Sequence, residues 1–133
     1  MKNITDKLFW VALVILGFYM MYQKGWILTN FKSVEVKVAY DMMQSDEGNL
    51  TILDVRTPQE YKEGHIANSQ LVPLHALASN LSMVDKSKTV LVYCRSGSRS
   101  VSASRILSDN GFTVINMKGG LMVWGAENYP LEQ

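Results

Sequence analysis

Two adjoining runs in the second half of the chain constrain its fold more than any other feature. Thr89-Val90-Leu91-Val92-Tyr93 is short, β-branched and apolar, the pattern of a buried strand. It passes directly into Cys94-Arg95-Ser96-Gly97-Ser98-Arg99 and then into Ser100 to Asn110, which reads as helix. There Val101, Ala103, Ser104, Ile106 and Leu107 offer one small and apolar face, and Gly111 stops the helix as a left-handed terminator. The chain's only cysteine therefore sits at a strand's carboxyl end and at the mouth of a helix N-terminus. Backbone N–H groups and the helix dipole make that position electropositive, and Arg95 and Arg99 add two charges.

A lone cysteine is usually a small buried hydrophobe. Gly97, three serines and two arginines are poor company for a core residue, so Cys94 is read as a nucleophile. The thiolate is the reactive form, and a helix N-terminus with cationic neighbours favours it. With a single cysteine the chain has neither a structural disulfide nor a resolving thiol, which argues against a dithiol mechanism.

Strand and helix signals alternate from about residue 34 to residue 127, which predicts a parallel sheet covered on both faces. Phe31 to Lys37 reads as a linker and first strand, with Val34, Val36 and Val38 alternating with charged residues, and Ala39 to Gln44 as a short helix. Leu50 to Val55 is a clear strand. Thr57 is placed to cap a helix that has Pro58 at its first position and runs through Lys62 to Gly64. Gln70-Leu71-Val72 is the next strand, and Pro73 to Val84 a largely helical connection. Phe112 to Met117 is the last strand, and Gly119-Gly120 turns into a short helix from Leu121 to Ala126. Trp124 is read as core or pocket wall. His75 has no ligand at metal spacing, so no metal is expected. No basic patch with interleaved aromatics points to nucleic acid.

Four residues separate Cys94 from Arg99. Tyrosine-phosphatase-type loops are one residue longer and cradle a tetrahedral phosphate, so the tighter ring here suits a single sulfur atom bonded to Cys94. The segment Tyr93-Cys94-Arg95-Ser96-Gly97-Ser98-Arg99-Ser100 resembles the active-site loop of single-domain rhodaneses, the thiosulfate sulfurtransferases. A second match is Leu53-Asp54-Val55-Arg56-Thr57-Pro58-Gln59-Glu60-Tyr61-Lys62-Glu63-Gly64-His65-Ile66, at the family's upstream signature. A third is the Gly-Gly-x-x-x-Trp run ending at Trp124, which in the family packs close to the active-site loop. Asn68-Ser69 stands where the family usually has a small Gly-Ala pair.

The resemblance implies a three-layer α/β domain over residues 33–133, with a central, mainly parallel five-stranded sheet. It implies a Cys94 persulfide held by loop amides, formed from thiosulfate or another sulfane donor and passed to cyanide or a thiol. No cofactor is expected. The substrate-binding residues are Arg95, Ser96, Gly97, Ser98 and Arg99, the sulfur being held by the N–H groups of residues 95 to 99. Arg95 is placed to steer an anionic donor, while Arg99 either faces the donor or braces the loop through a carboxylate. Asp54, Arg56 and His65 are read as fixing loop geometry rather than as base, clamp and acid, with Asp54 and Arg56 close behind Cys94. Two rivals stay open: a cysteine-based phosphatase or arsenate reductase, and a membrane adaptor that carries sulfur without turnover.

The resemblance says nothing about residues 1–32. Their four lysines against Asp6 give a net +3, and the remaining residues carry −2. Leu8 to Tyr22 is fifteen residues without a charge or strong polar group. Its eight strongest inserters supply roughly −2 to −5 kcal/mol towards membrane insertion. Fifteen helical residues reach only about 22 Å, whereas 8–28 reach about 31 Å and match the hydrocarbon core if Lys24 snorkels. A cleaved signal peptide lacks a small-x-small site, and a core helix would be apolar along one stripe rather than all round. An uncleaved single-pass anchor fits best. Flanking lysines nearly tie by positive-inside counting, and a persulfide survives more easily where thiols stay reduced, which leans the domain to the cytoplasm.

Overall fold

The computed structural model describes residues 3–23, 30–45 and 47–133. The expected membrane segment 8–28 thus lies partly outside the described residues. The chain begins with α1 (Ile4–Gln23), then β1 (Lys32–Val34), α2 (Val36–Ser45), β2 (Leu50–Asp54) and α3 (Pro58–Glu63). It continues with β3 (Ser69–Leu71), α4 (Leu74–Leu77), β4 (Thr89–Tyr93), α5 (Ser98–Asp109), β5 (Val114–Met117) and α6 (Gly120–Ala126). Short 3-10 turns lie at Glu47–Asn49 and Leu81–Met83.

The five strands form one sheet in the order β1-β5-β4-β2-β3, and every pairing is parallel. β4 is the central strand, and the alternation of its side chains explains why its sequence is apolar throughout. Val90 and Val92 enter a core with Leu53, Val55, Leu77, Ala103 and Leu107, under α4 and α5. Leu91 and Tyr93 enter a second core with Val36, Ala39, Met43 and Trp124, under α2 and α6. Helices thus cover both faces, giving three layers with all strand carboxyl ends, and Cys94, at one edge.

Three local expectations are corrected. Val36 starts α2 instead of extending β1: Val36, Ala39 and Met43 are buried at helical spacing while Val38 is exposed. The valine alternation carried the strand past Val34 because a helix entry and a strand both begin apolar. The stretch from Pro73 to Val84, expected as a largely helical connection, is split into one α turn and one 3-10 turn. Asn80 donates its side-chain amide to the Ala76 carbonyl (2.7 Å), a local bond of the kind that competes with helix continuation. α5 starts at Ser98, two residues before the expected Ser100. Asn68 adopts a left-handed backbone (φ 63°), which Asn tolerates better than most residues.

α1 has the length and hydropathy of a membrane span, and none of its residues is buried against the domain.

Candidate active site

β4 delivers Cys94 to the edge of the sheet, and the chain turns at once into α5. The Cys94 Sγ accepts two backbone hydrogen bonds, from Gly97 N (3.1 Å) and from Ser100 N (3.3 Å). Two N–H donors thus converge on one sulfur. Gly97 makes this possible with φ +103°, a conformation L side chains rarely adopt, and a Cβ there would also meet Gly119 N at 3.1 Å. Ser100 bonds back through its hydroxyl to the Gly97 carbonyl (3.1 Å), closing the turn.

The opposite side of the loop is held by α6. Leu121 N donates to the Cys94 carbonyl and Met122 N to the Arg95 carbonyl, both at 3.0 Å. Because a trans peptide points its N–H away from its C=O, pinning those carbonyls turns the N–H groups of Arg95 and Ser96 away from α6. Close approach requires Gly120: a Cβ there would stand 2.4 Å from the Cys94 oxygen and 2.5 Å from that of Arg95. The Gly119-Gly120 pair is therefore part of the loop's support.

Cys94 has no exposed surface and packs into the core under α5. Arg95, Ser96 and Ser98 are exposed above it, and Gly97 and Arg99 are half-buried. A cleft of about 370 Å³ opens beside the loop, with Arg56, Arg95, Glu60 and Glu63 on its walls and Leu121 and Met122 on its floor.

Two ion pairs stand behind this arrangement. Asp54, paired in register with Tyr93, ends β2 beside the cysteine strand. Its carboxylate takes the Arg56 guanidinium at 2.7 to 3.1 Å and the Arg56 backbone N–H at 2.9 Å. Arg56 also donates to the Gly64 carbonyl (2.7 Å), tying β2 to the end of α3. Both residues are buried, so the carboxylate is fully engaged. Tyr93, below the Arg56 guanidinium, accepts from Ile66 N (3.1 Å), and burial first of all pushes its phenol well above the usual tyrosine value.

The second pair answers where Arg99 points. Its guanidinium grips both oxygens of Glu60, at 2.7 and 2.9 Å. Glu60 simultaneously completes a capping box with Thr57 at the start of α3. The hydrogen bonds from Arg99 are the main reason its carboxyl falls from the ordinary 4.5 to about 2. A carboxylate with a depressed pKa stabilises the fold fully above its ordinary value and loses that contribution as pH falls through the folded one. Stability of the wild type is therefore expected to fall between about pH 4.5 and 2 more steeply than that of Glu60→Gln. Urea midpoints across that range check it, and parallel curves would remove the carboxylate from the account.

His65 lies off the cleft: its ring stacks on Tyr61 at 3.7 Å, and Nδ1 contacts the Tyr61 carbonyl at 2.8 Å. His75 is exposed. A second cavity, about 410 Å³, is lined by Tyr40, Met43, Leu50, Ile66 and Trp124 and contains no nucleophile. Three supporting residues were not singled out for the site in the sequence. Ser100, the second donor to sulfur, falls one position past the expected 95 to 99. Glu60 carried a legible signal in Thr57-x-x-Glu60, but only as a helix cap. Gly120 carried its place in the Gly-Gly-x-x-x-Trp run, which the resemblance sets close to the loop.

The chain is 33% identical over 88 residues to a sulfurtransferase of Allochromatium vinosum, covering 65% of this chain and 82% of that protein. It is 37% identical over 71 residues to the thiosulfate sulfurtransferase PspE of Escherichia coli, covering 52% of this chain and 68% of that one. A rhodanese-related protein from Thermoplasma volcanium superposes with a TM-score of 0.71 at 31% identity, over 77% of this chain and 98% of that one. The family profile of the rhodanese-like domain matches residues 35–127. The chain accordingly belongs to the rhodanese-like domain family and is, at the level of that family, a sulfurtransferase.

Proposed function

We propose that this protein moves sulfane sulfur through a persulfide on Cys94, in a domain spanning residues 33–133 and tethered to a membrane by residues 8–28. The observation that carries the reading is the Cys94 Sγ at the end of β4, receiving the Gly97 and Ser100 amides inside a loop with four residues between Cys94 and Arg99. The thiolate attacks the outer sulfur of thiosulfate. The S–S bond of the donor breaks, sulfite leaves with the bonding pair, and Cys94 carries the sulfur as a persulfide anion. Cyanide or a thiolate then attacks that terminal sulfur and the Cys94 thiolate is regenerated, which gives ping-pong kinetics.

In this reading the exposed Arg95 draws the anionic donor into the cleft, while Arg56 stays paired with Asp54 behind it. The loop amides, including those of Arg95 and Ser96 turned from α6, stabilise the charge that develops on the transferred sulfur. Arg99 braces the loop through Glu60. Since Cys94 is enclosed, the loop has to part for the donor to reach sulfur. The likeness to the E. coli thiosulfate sulfurtransferase supports thiosulfate as donor. That no α1 residue is buried supports the anchor, and the easier survival of a persulfide where thiols stay reduced supports a cytoplasmic domain.

Intact-mass analysis tests the reading. Incubation with thiosulfate is expected to add the mass of one sulfur to the wild-type chain, and cyanide to remove it. A chain that gains no sulfur, or that gains a mass cyanide does not remove, overturns it.

A further inference from the structure

The anchor and the active site lie at opposite ends of the domain. Every strand runs in the same direction, so the amino end of β1, where the chain arrives from α1, is the end opposite to Cys94 at the carboxyl end of β4. The five residues of β4 separate the two edges by about 17 Å. The contacts that flank residues 24–29 agree. Before them, the ring of Tyr22 lies 3.9 Å from the Arg105 guanidinium carbon. After them, Asn30 donates its amide to Asp109 (3.0 Å) and accepts from the Ser108 hydroxyl (2.9 Å), while Phe31 packs on the core.

All three partners, Arg105, Ser108 and Asp109, lie in the carboxyl half of α5, whereas Ser100 at its amino end holds the Cys94 sulfur. Twelve helical residues are about 18 Å long. Tyr22 lies near the domain-side end of the anchor, which brings the carboxyl end of α5 towards the bilayer and turns its amino end away. The turn around Ser87 shares the near end: Lys86 lies over Phe112, just beyond α5. The cleft with Arg56 and Arg95 shares the far end.

We infer that the active-site cleft faces the aqueous phase from the side of the domain remote from the bilayer, so that Cys94 serves water-soluble anionic sulfane donors and soluble acceptors rather than lipid-dissolved sulfur. This rests on the membrane anchor proposed above. Lipid-dissolved sulfur or a carrier in the bilayer would have to reach past the full depth of the sheet. A soluble anion meets the exposed Arg95 on the open side of the cleft.

Full-length protein in phosphatidylcholine vesicles containing a nitroxide-headgroup lipid provides the test. Single thiols are placed in a Cys94→Ser background at Ser87→Cys, near end, or Met122→Cys, far end, and carry one fluorophore each. Both proteins are expected to float with the vesicles, with quenching at 87 several-fold stronger than at 122. Flotation with equal quenching, or with stronger quenching at 122, overturns the orientation while leaving the anchor standing. Failure to float overturns the anchor and the orientation with it. Quenching at 122 also decides the matter alone should the Ser87 variant fold poorly.

Discussion

Replacing Cys94 by serine is expected to lower sulfur transfer from thiosulfate by at least about a thousandfold, the scale on which loss of a covalent nucleophile acts. Fold and stability are expected to stay close to wild type. Serine keeps a side-chain acceptor for the Gly97 and Ser100 amides, and the site loses less than a methyl group of packing. A stability change within about 1 kcal/mol follows from so small a difference in volume and hydrogen bonding. Thiocyanate release against cyanide and a urea titration measure the two halves. Activity within tenfold of wild type in a well-folded Cys94→Ser protein would end the persulfide reading. A large loss of stability would make the kinetic result uninformative, in which case Cys94→Ala supplies the comparison.

The second large effect is on stability. Asp54→Ala is expected to cost about 3–5 kcal/mol, because it leaves the buried Arg56 guanidinium without its counter-charge. A domain of this size has on the order of 5–15 kcal/mol in total, so the variant stands near unfolding. Removing both charges avoids the uncompensated ion. The pair Asp54→Leu with Arg56→Met is therefore expected to recover part of the loss, short of all of it because the Gly64 carbonyl and the Arg56 amide lose their partners. Denaturant midpoints of the single and double variants measure this. A single-variant cost below about 1 kcal/mol would mean that the ion pair is not what holds the end of β2 beside Cys94.

Both predictions begin in residues that stand out in the sequence, and the reason is periodicity. The β4 run is apolar at every position because its side chains enter two different cores, and that pattern is visible without coordinates. The strand–loop–helix order around Cys94, the cap at Thr57 and the parallel sheet were legible for the same reason: each is set by neighbours within a few residues. The errors fall where local signals compete. The valines from 34 to 38 satisfy a strand and a helix entry equally, and only the burial of Ala39 and Met43 against the sheet selects the helix. The stretch from 73 to 84 contains enough helix formers to look helical, yet turns instead beside Asn80.

Hydrophobic spacing and turn chemistry are short-range properties of the chain, and they carry the fold class, the order of the elements and the place of the single cysteine at the end of β4. Tertiary structure alone decided that Arg99 closes on Glu60, 39 positions away, that α6 docks on the carbonyls of Cys94 and Arg95, and that the sulfur lies enclosed. Those choices depend on which distant surfaces meet once the sheet is assembled. An arginine has many carboxylates within reach of its composition but only one within reach of its guanidinium, and a glycine shows its purpose only when another backbone comes to rest where its side chain would have been.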